Sequence, residues 1–428
     1  MKTRHPVPVL ALSTLLIPVL LLSGCDRTAA PAGAAVSPPE AALMTTLLDG
    51  LGNYSFPVES SHPEVQRWFD QGLNLAYGFN HDAAERAFVR ATELDPACAM
   101  CWWGAAWVLG PHVNAGMDPD NNAKAWERLQ KAVALAPQAD ERSRAFIEAL
   151  SARYAADPPE DRTPLDEAWA EATRALAAAR PDDLDAAAIH AEALMDLQPW
   201  AYYDEQLRPT GHTSEIVDTL ESVIERNPDH PGALHLYIHA VEASAAPERG
   251  AAAADRLRDL VPGSGHLVHM PAHIYARVGR WHDAVIANQR AIEADDAYLA
   301  VCGTNASGVY PLGYVPHNHH FLWFAASMEG ASAIAREAAD STAERITQSG
   351  LMREPGFEGM QHYWLTPLFD HVRFGRWEAI RAFENPAPTC PMSPRSGTTR
   401  RARPPHAKAA TTMRVRTWRA CSRWPPTR

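Results

Sequence analysis

The sequence has no glycine-rich phosphate loop, no dinucleotide fingerprint, no Ser–His–Asp order and no HExxH pair, so nucleotide-binding, triad-hydrolase and zincin chemistries have no motif to rest on. No segment alternates apolar and polar residues with period two, which removes half-buried β-strands. β-branched runs are few. Cysteine is scarce, six in 428 residues, and that is too few for a disulfide framework even where oxidation is permitted. The apolar stretch from Val7 to Leu22 falls short of the roughly 20 residues that a spanning helix needs. What remains is an alanine-rich chain, all-helical by pattern and long enough to bury a large apolar interior.

Acidic residues are missing from one end only. None follows Glu384, while nine arginines and Lys408 lie from Arg395 onward. Setting those ten charges aside takes the formal charge from −12 to −22 for the rest. An acidic body argues against nucleic acid as a partner. From about residue 386 the helical period also stops and Arg, Pro, Thr and Ala take over. This stretch, 386–428, reads either as a basic tail or as out-of-frame translation of a GC-rich gene, the second being preferred. It removes the closing cap that a repeat array needs.

The chain opens on Met-Lys-Thr-Arg-His, then the apolar stretch, then Leu22-Ser23-Gly24-Cys25. A basic start followed by an apolar run is an export signal. The four closing residues resemble the lipobox of bacterial lipoproteins. The resemblance implies cleavage before Cys25, lipidation of its thiol, and a membrane-anchored protein of the cell envelope facing the periplasm. Residues 1–25 are therefore expected to be the signal, and 26–42, rich in Ala, Pro, Ser and Gly, a flexible tether.

Residues 43–385 carry a repeat. Val65 to Cys98 has Trp68, Gly72, Ala84, Phe88, Ala91 and Pro96 at repeat positions 4, 8, 20, 24, 27 and 32, and so resembles a tetratricopeptide (TPR) repeat. The resemblance implies a right-handed α-solenoid of helix–turn–helix units, commonly a scaffold for protein partners. Prolines 96, 137, 181 and 228 close the first four units, and the second, third and fourth have enlarged internal loops. The fifth and sixth regain a 34-residue register. An irregular stretch is expected from Tyr298 to Val315, then a seventh helix pair near Pro316 and an eighth near Gln361. Arg373-Phe374-Gly375-Arg376-Trp377 echoes Arg277-Val278-Gly279-Arg280-Trp281.

That register places histidines in phase. His235/His239 and His269/His273 are i, i+4 pairs in the same slots of successive repeats. By the family's pattern, helix A positions 2, 5, 9 and 12 line the concave face. They are Trp103 and Trp107 in unit two, Asp185 and Glu192 in unit four with Asp196 beside them, and His235, His239 and Glu242 in unit five. Units six and seven add His266, His269, His273, His317 and His320. Paired imidazoles on one helix face can share a metal ion. His235, His239, His269 and His273 would supply four nitrogens, with Glu242 as a ligand or an orienting group and His317 close by. Imidazole with carboxylate suits zinc, copper, nickel or iron. The same groove could instead grip an acidic peptide or a small anion, or the histidines could be structural. Cys98-Ala99-Met100-Cys101 lacks a thioredoxin-like context and is expected to be a thiol pair or local disulfide. Cys302 is a soft ligand or merely buried. The aromatic loop Gln198–Asp204 could fold over the groove or pack outside. The preferred function is a lipid-anchored scaffold presenting its groove to a protein, peptide or ligand, without an assigned catalytic residue. The alternative is a metal-binding protein or metalloenzyme built on the histidines.

Overall fold

The computed structural model describes residues 46–303, 308–353, 357 and 359–383. The expected signal, the lipidated Cys25, the tether and the basic tail lie outside the described residues. Every helix below belongs to one compact unit ending at Phe383.

Among the described residues, eighteen α-helices and no strand form eight successive helix–turn–helix units. Unit one is α1 (Val65–Tyr77) with α2 (His81–Leu94). Unit two is α3 (Ala99–Trp107) with α4 (Asn121–Leu135), and unit three is α5 (Glu141–Leu150) with α6 (Thr163–Ala179). Unit four pairs α7 (Leu184–Asp196) with α8 (Thr213–Arg226), and unit five α9 (Pro231–Val241) with α10 (Ala251–Leu257). Unit six splits its first helix into α11 (Gly265–His269) and α12 (Pro271–Val278), which pack on the long α13 (Trp281–Cys302). Unit seven is α14 (Val315–Glu329) with α15 (Ser332–Ser349). Unit eight is α16 (Met360–Trp364), α17 (Thr366–Arg373) and α18 (Trp377–Ala382). The fold is thus an all-α, TPR-like solenoid with irregular inter-helix loops, as the repeat pattern predicts.

Local sequence explains the boundaries. The second helices of units one to four end at Leu94, Leu135, Ala179 and Arg226, each just ahead of the proline that cannot continue them. Asn80, Asp140 and Asp183 cap α2, α5 and α7 by accepting from the backbone N–H three residues on. Packing inside unit one is tight. The Phe88 ring lies where a Cβ on Gly72 would stand 2.8 Å away and one on Gly104 2.5 Å away. Two glycines therefore hold one fully buried phenylalanine, whose burial stabilises by about 1.5–3 kcal/mol. The Arg-x-Gly-Arg-Trp echo has one cause in both places. Gly279 and Gly375 take left-handed backbone (φ 80° and 66°), and Trp281 and Trp377 open the next helices.

Two features differ from the sequence expectation. The helix of unit six does not become irregular at Tyr298. It runs on to Cys302, and a π-helical turn, Tyr310–Tyr314, leads into α14. The inner face is also closed. α1 packs against α9, and residues ahead of α1 reach α7 and the turn before α11. Tyr54 Oη donates to Asp185 (2.9 Å), and Gly263 N–H donates to the Gly50 carbonyl (2.7 Å). Units one, four, five and six therefore meet around a filled centre. Trp103, Trp107, Asp185, Glu192, His235, His239, His266, His269 and His273, expected to line an open groove, are all buried.

Candidate metal centre

The histidines come from α9, α11, α12 and α14. α9 carries His235 and His239 one turn apart. α11 and α12 act nearly as one helix, since Met270 between them keeps helical backbone (φ −51°, ψ −38°) and Pro271 sits where a helix start tolerates it. His269 and His273 thus keep their shared face. α14 brings His317.

The six rings sort into two triads. One ligand atom from each of His269, His273 and His317 lies within 4.8 Å of the others, and the same holds for His235, His239 and His266. In the first triad His269 Nε2 is 2.9 Å from His273 Nε2 and 3.1 Å from His317 Nε2. In the second, His235 Nε2 is 3.1 Å from His266 Nε2.

The outer nitrogens decide where the protons are. His269 Nδ1 is 2.7 Å from Asn288 Oδ1, and Asn288 Nδ2 donates to the Ala284 carbonyl (2.7 Å), which fixes the amide. His269 Nδ1–H is therefore the donor. His273 Nδ1 donates to Glu242 Oε2 (2.8 Å), and His239 Nδ1 to Glu242 Oε1 (3.3 Å). His235 Nδ1 donates to the Tyr77 carbonyl (2.6 Å), one of the last carbonyls of α1, which lack a helical partner. His317 Nδ1 is 3.3 Å from Tyr363 Oη. With Nδ1 protonated, a neutral His235, His239, His269 or His273 ring keeps a bare lone pair on Nε2.

The consequence is a conflict that a cation resolves. When both rings are neutral, His269 and His273 aim two lone pairs at each other across 2.9 Å, and neither can donate. On His269 a proton is disfavoured. Burial, reinforced by the neighbouring imidazoles, holds His235, His266 and His269 well below the usual imidazole range, and burial brings His317 down to about 3. Burial likewise lowers His239 despite its hydrogen bond to Glu242. Burial pushes Glu242 up, but His273 and His239 outweigh that and hold it ionised. Two nitrogens on a tetrahedral zinc at about 2.0–2.1 Å would stand roughly 3.3 Å apart, close to the spacing seen here. Imidazoles backed on Nδ1 by carboxylate, amide or carbonyl oxygen are the arrangement that metal-binding histidines use. Among the described residues, His239 Nε2 and His266 Nδ1 have no hydrogen-bond partner although buried.

Aromatic rings wall the triads. Phe79 lies 4.4 Å from His235 and 5.6 Å from His266, centroid to centroid. Trp200 meets His239 edge-on at 5.0 Å, and Tyr314 lies 4.5 Å from His266. Phe79 and Trp200 have left-handed backbone (φ 55° and 63°), which costs a non-glycine residue on the order of 1 kcal/mol. Phe79 occupies the helix-terminating position usual for glycine, with Asn80 N–H reaching back to the Leu75 carbonyl (2.9 Å). The loop after α7 accordingly covers the histidines rather than packing outside.

The structure regroups the sequence candidates. His235, His239, His269 and His273 are not one four-nitrogen set but fall into two triads, completed by His266 and His317. Glu242 lies behind both, on outer nitrogens. His320 turns to His362 and Tyr363 instead, at 5.6 and 4.7 Å. Cys98 and Cys101 form a disulfide, and Cys302 sits half-buried near Tyr298 and Arg86. Asp185 accepts from Tyr54, Tyr77 (3.0 Å) and Arg142 (3.0 Å), a structural junction. Glu192 is pushed up to about 7 by burial. Asp196, also raised, is ion-paired with Arg153 at 3.3 Å. His266 was visible as a groove residue, but nothing in the sequence joins it to His235 and His239 rather than to His269.

No protein-family model and no curated protein matches the sequence. Among solved structures, the chain is similar to a chain of the APC/C hetero-tetramer Cut9-Hcn1, at 10% identity and a TM-score of 0.27. The alignment covers 74% of this chain and spans 65% of that one's length. A likeness of that degree bears on neither ligand nor partner.

Proposed function

We propose that this protein binds a transition-metal ion through His269, His273 and His317, on a TPR-like frame tethered to the cell-envelope membrane by lipid on Cys25. The observation that carries the metal reading is the pair of lone-pair nitrogens of His269 and His273 at 2.9 Å in a buried site with both outer nitrogens anchored. Neutral imidazoles without thiolate suit zinc or copper rather than calcium or magnesium. His317 is the half-buried member of the triad.

The test is titration of untagged protein with zinc and with copper against a competing chelator. Tight binding that His269→Ala weakens at least 100-fold is the expected result, since removing a ligand should cost no less than removing its hydrogen-bonded support. Absence of tight binding, or binding indifferent to the substitution, would overturn the reading. The anchor is tested apart: Cys25→Ser should leave the membrane fraction or accumulate as precursor, and unchanged partitioning would count against lipidation.

A second reading, a scaffold for a protein or peptide partner, draws on the repeat architecture, which often presents extended binding surfaces. The exposed Val301, Val309 and Leu312, ahead of α14, favour it. The buried inner face moves such a partner to the outside of the array.

A further inference from the structure

The second triad has two of its three outer nitrogens anchored, and it shares a support with the first. His235 Nδ1 is anchored on Tyr77, His239 Nδ1 on Glu242, and His235 and His266 bring Nε2 atoms to 3.1 Å. His239 Nε2 and His266 Nδ1 are buried without a partner. The unpartnered His239 Nε2 is free to ligate, which would offset the roughly 1–3 kcal/mol that an orphaned buried polar group costs. The triads are neighbours: ring centroids of His239 and His273 are 6.1 Å apart, and those of His266 and His269 6.0 Å. One carboxylate spans them, Glu242 Oε1 accepting from His239 and Oε2 from His273.

We propose that His235, His239 and His266 hold a second metal ion, and that the two trihistidine sites form one binuclear centre braced by Glu242. This rests on the metal reading above and extends it. Two like cations this close repel, and the ionised Glu242 between their ligand sets offsets part of that repulsion. Three ligands leave each ion an open coordination position, as catalytic sites do. Phe79, Trp200 and Tyr314 keep the second site dry. The centre suits a metal that accepts three imidazoles, copper or zinc.

Copper(II) is the probe, because one titration reads both number and proximity. Untagged full-length protein is loaded, dialysed to equilibrium, and analysed for copper per chain and by electron paramagnetic resonance. Two ions per chain are expected, with a resonance broadened or diminished by spin–spin interaction. His266→Ala and, separately, His317→Ala should each drop the count from two to one and restore an isolated copper signal. Each variant strikes a different helix, so failure of one to fold leaves the other decisive. One ion in the wild type, lost only with His317→Ala, would overturn the binuclear centre and leave the single-site reading standing. Two ions with fully isolated signals would also overturn it. No bound copper in the wild type would overturn both.

Discussion

Glu242→Gln changes a single atom of a buried side chain, and its effect can be worked through. The carboxylate accepts from two imidazoles at once, His239 at 3.3 Å and His273 at 2.8 Å. Glutamine offers one oxygen and one NH2, so one of the two Nδ1–H groups would face a donor. That ring must turn or move its proton to Nε2, and a protonated Nε2 cannot ligate. His273 has the shorter bond and retains the oxygen, so His239 is the ring displaced. Loss of such support typically weakens metal binding 10–100-fold, or about 1.4–2.7 kcal/mol. Chelator competition should therefore show one class of site weakened by that factor, that of His235, His239 and His266, with the other nearly unchanged. Far-UV circular dichroism should stay that of a helical array. Unaltered binding at both sites would refute the assignment of Glu242 as the shared support.

Other consequences can be measured independently. The metal-free protein should lose stability in acid: buried His112, His235, His266 and His269 have lowered pKa values, and His317 and His320 fall to about 3. The unfolded chain takes up protons below about pH 6.5 and the folded one does not. Stability is thus full above that pH and falls by up to about 1.4 kcal/mol per pH unit per histidine, towards pH 3; a thermal midpoint flat from pH 7.5 to 5 would contradict this. Gly104→Ala should destabilise by about 1–3 kcal/mol in urea, since its Cβ would stand 2.5 Å from the Phe88 ring. Gly116→Ala, with nothing within 4 Å, should stay within about 0.5 kcal/mol. Removing the Cys98–Cys101 disulfide by double serine substitution should cost no more than about 2 kcal/mol, because it closes so short a loop. Metal content should not change, as neither sulfur belongs to a triad; a loss of bound metal would implicate the cysteines.

The repeat frame was legible because helix breakers and small residues are local. Pro96, Pro137, Pro181 and Pro228 mark helix ends that the structure reproduces, and Gly72 with Phe88 reports a close helix contact. The histidine pairs were legible for the same reason, one helix face at a time. Their partition was not. Phase alone matches His235/His239 with His269/His273, whereas α11 and α12 lie between α9 and α14 and divide their rings. His266 goes to one neighbour, and His269 and His273 to the other. The closure of the inner face depends on contacts between distant segments, such as Tyr54 with Asp185 and α1 with α9. No periodicity encodes those. The left-handed backbone at Phe79 and Trp200 runs against residue preference, so only the folded structure reveals it.

X-ray absorption at the metal edge of zinc- or copper-loaded protein reads the ligands of the histidine sites themselves. A shell of about three imidazole nitrogens near 2.0–2.1 Å, with no sulfur, is expected, and His269→Ala should remove a nitrogen from it. A shell of oxygen alone, or one containing sulfur, would contradict ligation by the histidines.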